Sequence, residues 1–441
     1  MALFLSYYGD DFTGSTDVME AMSLHGLKTV LFTRIPTEEE RRRFADCEAL
    51  GLAGTSRSQG PEWMDANLPG AFRWLKAQGA RFCQYKVCST FDSSPHTGSI
   101  GRAVEIGREV FGQQVTPLVV GAPQLRRYTA FGHLFAAYQG STYRIDRHPV
   151  MSRHPVTPMA EADLLLHLAQ QTNLPSGLVP FTRLAEGDEA VDRIVGGSRG
   201  ILLLDVLDAG SQREAGRQLL RLADRLGPFL VGSSGVNYAL MQALAAAGPS
   251  REAASFPAMA PEPRVIAVSG SCSPTTARQI RHALAHGFAG LAADPLALAG
   301  PGAEAAAAEI ASRAGALLNQ GRSVLVYTAL DPETDRGAAL DTIPGGRHRL
   351  GKALGRIARE LIISCGLRRA VLAGGDTSSH ALGELDVFAL NTRYPLAATP
   401  GSPLCTAASA DPRLDGIEIA MKGGQVGGDD YIVALRDGAT A

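Results

Sequence analysis

The feature that most constrains the fold is an alternation of short apolar runs with amphipathic segments along nearly all of the 441 residues. Runs of strand length, such as residues 28–33 and 200–205, precede segments with helical periodicity, such as residues 63–78. Strands that alternate with helices favour parallel pairing, because each crossover helix returns the chain to the same end of the sheet. The sequence therefore predicts an α/β fold of mostly parallel sheets flanked by helices.

The chain length predicts two or three domains, at roughly 150 residues per domain. Residues 243–263 are rich in alanine and proline and lack a clean period, which is typical of a linker. We therefore expect a first domain at 1–245, a linker at 246–263 and a second domain at 264–441.

Composition excludes several classes of function. The formal net charge is -2, so the chain lacks the electrostatic footprint of a nucleic-acid-binding or membrane-surface protein. Six cysteines are scattered without a C-x-x-C pair, so neither a zinc ribbon nor a disulfide framework fits. The N-terminus lacks the basic region of a signal peptide, and no apolar run approaches the roughly 18 residues of a membrane span. We expect no nucleic-acid partner, no membrane association and a cytoplasmic location.

Two adjacent carboxylates follow the first apolar run. Asp10 and Asp11 precede the glycine and hydroxyl residues 13–16, where a helix is expected to begin. Carboxylates at the carboxyl end of a strand lie where open α/β sheets bind ligands, so they can serve as a general base or hold a metal. A solvated turn in which an aspartate caps the helix is an equally simple alternative, and these residues alone leave both open.

Residues 122–159 interrupt the alternation of strands and helices. This segment mixes cations with aromatic and apolar residues, and it contains several prolines. Long structureless segments inside compact domains are usually functional or disordered, so we expect an irregular loop that binds an anionic substrate. A solvated surface loop is the alternative. The cations are Arg126, Arg127, His133, Arg144, Arg147, His148, Arg153 and His154.

Three glycine-rich loops in the second domain, at residues 269–276, 374–379 and 422–428, suit phosphate binding. Glycine lets backbone N–H groups approach phosphate oxygens, and the serine and threonine hydroxyls add donors. The chain has neither a G-x-x-x-x-G-K-[ST] nor a G-x-G-x-x-G motif after a strand. The nucleotide site would therefore be neither a P-loop nor a dinucleotide-binding site of the usual type. Combined with a carboxylate loop in the other domain, it suggests phosphoryl transfer between the domains.

A set of motifs in this order resembles the four-carbon acid sugar kinase family, which includes threonate, erythronate and 3-oxo-tetronate kinases. The resemblance implies a sugar-acid domain, an ATP-binding domain and an active site in the cleft between them. It also implies that a terminal hydroxyl is phosphorylated with ATP and Mg²⁺. The motifs are Gly9 to Ser15, Lys86 with Ser89 and Thr90, Ser269 to Ser271, Gly374 to Ser378, Pro400-Gly401 and Lys422 to Gly424.

The resemblance also implies roles for individual residues. One of Asp10 and Asp11 would accept the proton of the attacking hydroxyl, while the metal ligands stay unknown. A homo-oligomer is left open. The substrate-binding candidates are Ser15, Arg57, Lys86, Ser89, Thr90, Arg126, Arg127 and His154. The ATP-binding candidates are Ser269, Gly270, Ser271, Gly374, Gly375, Asp376, Thr377, Pro400, Gly401, Lys422, Gly423 and Gly424.

The chain departs from the family pattern near the substrate. The family usually has Lys-x-Asp-Ser-Thr-Leu-Arg-Gly, where this chain has Cys88 in place of the aspartate and Asp92 in place of the arginine. Residues 124–129 also lack the usual Gly-Arg-Thr form. Exchanging a cation for an anion disfavours a plain carboxylate substrate at that point. We therefore hypothesise a branched or 3-oxo acid such as 3-oxo-isoapionate, with Arg126, Arg127 or His154 holding its carboxylate.

Two other functions are compatible with parts of the sequence. A non-catalytic sugar-acid sensor could use nucleotide only as an effector, although the intact motif at residues 10–14 argues against it. A metal-dependent phosphatase could use Asp10 or Asp11 as its nucleophile. Its carboxylates would ordinarily be spaced Asp-x-Asp, and the glycine-rich loops would have no role.

Overall fold

A computed structural model describes residues 3–248, 254–330 and 335–438. It confirms the predicted α/β class, with mostly parallel sheets flanked by helices. None of the helices in these ranges is both long and apolar enough to span a membrane.

The elements alternate along the chain, and four short 3₁₀ turns lie between them. The strands are β1 (Leu5–Gly9), β2 (Thr29–Phe32), β3 (Ala49–Ala53), β4 (Phe82–Lys86), β5 (Val115–Val119), β6 (Arg127–Ala130), β7 (His133–Tyr138), β8 (Ser141–Arg144), β9 (Ser176–Val179), β10 (Gly200–Leu204), β11 (Phe229–Gly232), β12 (Ile266–Ser269), β13 (Ala289–Ala292), β14 (Val324–Tyr327), β15 (Arg369–Ala373), β16 (Val387–Tyr394), β17 (Leu404–Ser409) and β18 (Glu418–Lys422). The helices are α1 (Phe12–Leu24), α2 (Glu38–Arg42), α3 (Pro61–Ala77), α4 (Ile100–Phe111), α5 (Leu164–Ala169), α6 (Phe181–Ala185), α7 (Asp188–Gly197), α8 (Ala209–Leu226), α9 (Gly235–Ala247), α10 (Pro274–Ala285), α11 (Pro295–Ala299), α12 (Ala303–Asn319), α13 (Gly337–Asp341), α14 (Gly346–Cys365), α15 (Gly375–Gly383) and α16 (Tyr431–Asp437).

The chain forms two compact units. Unit 1 comprises Met1–Thr29 and Thr37–Ala254, and unit 2 comprises Val30–Pro36 and Ser255–Ala441. The segment Val30–Pro36 therefore groups with unit 2, although the sequence division places it in the first domain. The reason is strand pairing, because β2 runs antiparallel to β16. The domain boundaries predicted from the sequence, and the predicted cleft, stay predictions.

The sheet of unit 1 is fully parallel and has the order β3-β1-β4-β11-β5-β10-β9. Strands β1 and β10 are buried along their whole length, as expected for parallel strands that are covered on both faces. Gly9 at the end of β1 lies opposite Ala53 of β3 and Lys86 of β4. The residues that follow these three strands therefore emerge side by side at one edge of the sheet.

An aromatic cluster lies beneath that edge. Phe72 of α3 contacts the rings of Tyr8, Tyr85 and Phe229, with centroids 5.4 to 6.0 Å away. All four side chains are almost completely buried. Burial of an aromatic side chain stabilises the fold by about 1.5–3 kcal/mol, and such ring pairs add about 0.5–1.5 kcal/mol. The strands that carry the candidate site thus rest on a rigid support.

The prediction of an irregular loop at residues 122–159 is wrong for its first half. Strands β6, β7 and β8 form a separate antiparallel sheet. The turns between them have two residues each, Phe131-Gly132 and Gln139-Gly140, and all four have positive φ. That is the geometry of the type I′ hairpin turn, whose twist matches the flanking strands. Because neither turn has the usual Asn-Gly or Asp-Gly pair, the hairpin signal in the sequence is weak.

The sheet of unit 2 combines two kinds of pairing. Strands β13-β14-β12-β15-β18 are parallel, and β17 and β16 continue the order in antiparallel pairing. Its core includes Val265 just before β12, Leu325 of β14, Val371 of β15 and Ile280 of α10, all fully buried. Loops at the carboxyl ends of β12, β15 and β18 therefore start from adjacent parallel strands.

Candidate functional site

Arg57 joins the two adjacent carboxylates of unit 1. Its guanidinium donates from Nε and Nη2 to the two carboxylate oxygens of Asp10, at 3.1 and 3.0 Å. From Nη1 it donates to Oδ2 of Asp11 at 2.6 Å. Arg57 lies in a 3₁₀ turn after β3, and the aspartates follow β1, so the parallel register brings them together. One cation thus neutralises much of the charge of two anions.

The environment of Asp10 is nearly dry. Its backbone N–H donates to the carbonyl of Lys86 at 2.9 Å, and its carbonyl accepts from the N–H of Arg57 at 3.1 Å. Burial raises the pKa of the Asp10 carboxyl to about 6, although the neighbouring Arg57 guanidinium acts in the opposite direction. A carboxyl with a pKa close to neutral is suited to proton transfer at physiological pH.

Asp11 caps helix α1. Its Oδ1 accepts a hydrogen bond from the N–H of Gly14 at 2.6 Å, as the capping alternative requires. A Cβ at Gly14 would lie 2.6 Å from Oδ1 of Asp11 and 2.9 Å from Nζ of Lys86, so this close approach requires glycine. The same carboxylate also pairs with Arg57. Capping the helix therefore does not prevent this carboxylate from pairing with Arg57.

Lys86 and Ser15 are both buried beside this loop. The ammonium of Lys86 lies 3.7 Å from the carboxylate of Asp17, and its side chain is only 3% exposed. The hydroxyl of Ser15 donates to the carbonyl of Asp11 at 2.6 Å. Ser15 is thus engaged in holding the loop, and a substrate would have to displace that hydrogen bond to reach it.

The loop after β4 carries a chain of hydroxyls around Asp92. Thr90 donates to Oδ1 of Asp92 at 2.5 Å, and Thr157 donates to Oδ2 at 3.3 Å. The Oγ1 of Thr157 also lies 3.1 Å from Nδ1 of His154. Burial would raise the pKa of Asp92, but Arg57, Thr90 and His154 together hold it below its usual value. Asp92 therefore links the β4 loop to the segment that contains His154, while Ser89 in the same loop is half-buried.

Two neighbouring arginines have different environments. Arg126 is exposed and has a positive φ of 55°, at the end of a 3₁₀ turn. Arg127 begins β6 and is half-buried, with Nη1 donating to the carbonyls of Leu125 and Arg126 at 3.0 and 3.2 Å. Its electrostatic neighbours are the Cys88 thiol and Tyr128. Arg127 is thus near the β4 loop.

Unit 2 contains a cavity of about 310 Å³ at the carboxyl ends of its strands. The lining includes several residues predicted from the glycine-rich loops: Gly270, Ser271, Gly374, Gly375 and Thr377. It also includes residues that the sequence patterns missed: Cys272, Pro295, Thr328, Arg336, Gly337, Leu340, Arg347 and Leu350. Predicted residues outside the lining are Ser269, Pro400, Gly401, Lys422, Gly423 and Gly424. Only the backbone of Asp376 is described.

Close backbone approach explains the glycines of this cavity. A Cβ at Gly270 would lie 2.7 Å from the side chain of Thr377, and Gly374 has a φ of 116°. Helix α10 begins beside the cavity with Ser273 as its N-cap. Free N–H groups at a helix start and glycine-rich turns attract phosphate. Arg336 and Arg347 bring guanidinium groups to the lining, and that of Arg347 is paired with Asp341 at 2.7 Å.

Lys422 is a buried cation next to these loops. Its side chain is inaccessible to solvent, and its amine donates to Oγ1 of Thr276 at 2.8 Å. Thr276 in turn donates to the carbonyl of Gly424 at 3.0 Å. Burial lowers the pKa of Lys422 to about 8. Its charge has no carboxylate partner among the described residues.

The described residues contain no cluster of three His, Cys, Asp or Glu side chains that could hold a metal ion. Mg²⁺ in nucleotide sites is usually bound by phosphate oxygens and waters with only one or two protein ligands. The hydroxyls of Ser271 and Thr377 in the cavity lining are oxygen donors of that kind. The residues present therefore suit Mg²⁺ that arrives with a nucleotide.

Comparison with protein-family models identifies both parts of the chain. A sugar-binding N-terminal domain matches residues 5–240, and a nucleotide-binding C-terminal domain matches residues 266–432. The first match covers Asp10, Asp11 and Arg57, which we call the carboxylate–arginine cluster. The second match covers the residues that line the unit 2 cavity.

Curated relatives match over nearly the whole length. The chain is 45% identical to a 3-oxo-isoapionate kinase of Paraburkholderia graminis, covering 100% of this chain and 95% of the relative. It is 33% identical to 3-oxo-tetronate kinases of Pseudomonas fluorescens (97% and 95% covered) and Methylobacterium radiotolerans (99% and 99% covered). None of these relatives is named as a sensor or a phosphatase.

Solved structures support the fold. A Haemophilus influenzae protein superimposes with a TM-score of 0.73 at 21% identity, covering 98% of this chain and 99% of that one. A Salmonella typhimurium LT2 protein described as a putative tRNA synthase gives 0.78 at 23% identity, with 97% and 98% covered. At these identities the likeness concerns the fold alone.

Proposed function

The chain belongs to the family that pairs a sugar-binding N-terminal domain with a nucleotide-binding C-terminal domain, and we propose that it phosphorylates a 3-oxo sugar acid of the 3-oxo-isoapionate type. It is an ATP-dependent kinase of small sugar acids, like the relatives it matches over its full length. The substrate class rests on the 45% identity to the 3-oxo-isoapionate kinase. The acceptor would be a terminal hydroxyl of this acid.

The observation that supports the catalytic assignment is the buried Asp10 carboxyl held by Arg57. Asp10 would accept the proton of the attacking hydroxyl, since burial brings its pKa to about 6. Asp11 would hold the loop in place through its bond to Gly14 and its pair with Arg57. Arg57 would keep Asp10 ionised and oriented. In this proposal Asp10 is the base and Asp11 is a positioning residue.

The remaining unit 1 candidates would surround the sugar acid. Lys86 would supply positive charge, and Ser89 and Thr90 would supply hydroxyl groups. Asp92, fixed by Thr90 and Thr157, would accept hydrogen bonds from substrate hydroxyls. A carboxylate at this position suits a polyhydroxylated part of the substrate and repels the acid group, so the substrate's carboxylate would bind elsewhere.

The nucleotide would bind in unit 2. The backbone N–H groups of Ser271 and Gly375 and the guanidinium of Arg336 would hold the phosphates, and Arg347 would contribute from its pair with Asp341. Mg²⁺ would be bound with ATP, with Ser271 and Thr377 as oxygen donors, and it would neutralise charge on the phosphates. Phosphoryl transfer needs mainly positioning and electrostatic stabilisation, and these residues are of the types that provide them.

A substrate panel tests the proposed activity. Consumption of ATP is measured with 3-oxo-isoapionate, 3-oxo-tetronate, threonate and erythronate as acceptors. We expect the highest kcat/KM with 3-oxo-isoapionate. A higher value with threonate or erythronate would contradict the substrate class, and the absence of turnover with all four would contradict the proposed function.

Two matched variants test the assignment of the base. Asp10→Asn should lower kcat by about 10²-fold or more, because general-base catalysis contributes that much, and leave the Kd of ATP unchanged. Asp11→Asn should have a much smaller effect on kcat, since an asparagine still caps a helix. The reverse order of the two effects would assign the base to Asp11.

A further inference from the structure

The side chain of Arg127 lacks the counter-charge that three other cations of unit 1, Arg57, Lys86 and Arg144, have. Arg57 is paired with Asp10 and Asp11, Lys86 lies near Asp17, and Arg144 is paired with Asp146 at 2.5 Å. Arg127 forms no ion pair within the described part of the chain. Its backbone is nevertheless held firmly, since its N–H and carbonyl both bond to Ala122.

One edge of the Arg127 guanidinium is without protein acceptors. Nη1 is used by the carbonyls of Leu125 and Arg126. Nε is buried and has no hydrogen-bond acceptor in the described structure. A buried donor without a partner costs about 1–3 kcal/mol, so such groups usually indicate a missing ligand or water. Nε and Nη2 together form the edge that accepts a carboxylate through two parallel hydrogen bonds.

The neighbours of this edge also favour an anion. Burial lowers the pKa of the Arg127 guanidinium, and the nearby groups that act on it are the Cys88 thiol and Tyr128. His148 is close enough to feel its charge, and burial lowers the pKa of that imidazole. A neutral imidazole supplies no negative charge. Cys88, in the loop after β4, also lies within electrostatic range of Arg57, so both arginines are near this loop.

We propose that Arg127 binds the carboxylate of the sugar acid through Nε and Nη2. This inference rests on the proposed function, and it selects one residue from the cations of residues 122–159. Arg126 is exposed, and the imidazole of His154 already receives a hydrogen bond from the N–H of Thr157 at 3.1 Å. The hairpin β6–β7 would then serve to position Arg127. If the substrate bound the other way round, its carboxylate would lie next to Asp92 and be repelled.

A cycle of variants and substrates tests the contact. In the wild type, replacing the carboxylate of 3-oxo-isoapionate by its primary carboxamide should raise KM by about 10- to 100-fold, the value of a charge-assisted contact. Arg127→Ala should raise KM for the acid by a similar factor but leave KM for the carboxamide nearly unchanged. KM for ATP should stay the same. Arg153→Ala, which removes an exposed cation of the same segment, is the control and should have less than a twofold effect.

The outcomes separate this inference from the proposed function. If the wild type phosphorylates the acid but Arg127→Ala and the carboxamide lower kcat/KM independently, with multiplying factors, the carboxylate binds elsewhere. A larger loss in Arg126→Ala than in Arg127→Ala would assign the carboxylate to Arg126. If the wild type phosphorylates no sugar acid, the proposed function itself fails. Circular dichroism checks that Arg127→Ala is folded, and the wild-type comparison of acid and carboxamide does not depend on any variant.

Discussion

The guanidinium of Arg57 binds both carboxylate oxygens of Asp10, from Nε at 3.1 Å and from Nη2 at 3.0 Å. This two-point contact fixes the orientation of a carboxyl that is almost completely buried. Removing the cation from such a pair leaves an uncompensated buried charge, which is far costlier than losing a surface ion pair. We therefore expect activity to depend on Arg57 as much as on the two carboxylates.

We expect kcat/KM of the wild type to rise with pH through about pH 6. Asp10 must be ionised to accept a proton, and its pKa is about 6. In Arg57→Gln this rise of kcat/KM should occur at higher pH, because the positive charge that lowers the pKa of Asp10 is gone. Activity at pH 7 should fall at least tenfold. A pH profile of kcat/KM for both proteins checks this, and an unshifted limb would show that another group controls the profile.

We expect Asp10 to reduce the stability of unit 1 at neutral pH. Its folded pKa of about 6 lies above the ordinary 3.8, so the folded state binds the proton more tightly than the unfolded state. Stability from this group is therefore present at low pH and lost as pH rises from about 4 to 6. The wild type should lose this stability between pH 4 and pH 7, whereas Asp10→Asn should not. The difference in free energy of unfolding between variant and wild type should therefore shift by about 2 kcal/mol in favour of the variant over this range.

The chain allows this measurement to be made on unit 1 alone. Its two tryptophans, Trp63 and Trp74, both lie in α3 of unit 1, so their fluorescence reports on that unit during denaturation with urea. A stability difference between the two proteins that does not change with pH would contradict the expectation.

The parallel sheets were predictable because their signal is local. Strand β10 is a continuous apolar run, β1 and β4 are mainly apolar or aromatic, and the carboxyl ends of such buried parallel strands are where ligands bind. Asp10 and Asp11, which follow β1, and Lys86, which ends β4, could therefore be selected as candidates from their positions. Their roles could not be separated in this way, because the cap at Gly14 and the pair with Arg57 use the same carboxylate.

Features that depend on tertiary contacts were beyond the sequence patterns. The bridge from Arg57 to two carboxylates exists only because β3 and β1 are neighbours in the sheet. Arg336 and Arg347 line the unit 2 cavity from outside the glycine-rich loops. The hairpin turn at Phe131 requires positive φ at a bulky residue, which local propensity disfavours. Tertiary hydrogen bonds to that turn offset the strain.

Asp205 supplies those hydrogen bonds and gives a third prediction. Its carboxylate accepts from the N–H groups of Phe131 and Gly132, at 2.6 and 3.2 Å, and is fully buried. In Asp205→Asn, the uncharged amide can accept through one oxygen only. The free energy of unfolding of unit 1 should fall by about 1–3 kcal/mol. KM for the sugar acid should rise, because the hairpin carries Arg127.

Asp208 provides the matched control for this variant. It also follows β10, but its side chain is the N-cap of α8 and accepts from the N–H of Ser211 at 2.8 Å. Because asparagine caps helices about as well as aspartate, Asp208→Asn should change stability by less than about 0.5 kcal/mol and leave KM unchanged. Equal effects of the two variants, measured by tryptophan fluorescence and steady-state kinetics, would remove the role assigned to Asp205.

Lys422 gives the last prediction, which concerns unit 2. Burial lowers its pKa from 10.5 to about 8, so the folded state binds the proton less tightly than the unfolded state. Stability from this group is therefore missing at pH 7 and is gained as pH rises from about 8 to 10.5. We expect Lys422→Met to stabilise unit 2 at pH 7, and this gain should shrink towards zero at about pH 10.

The same variant should weaken ATP binding. The buried charge lies beside Thr276 and Gly424 and has no carboxylate partner in the described structure, so its field is available to nucleotide phosphates. We expect KM for ATP to rise about tenfold in Lys422→Met. Lys352→Met, which removes an exposed amine 3.7 Å from Glu384, is the control and should change neither quantity. Calorimetry at pH 7 and 10 and ATP titrations measure both effects. A variant that loses stability at pH 7 while binding ATP normally would show that the amine serves only to hold Thr276.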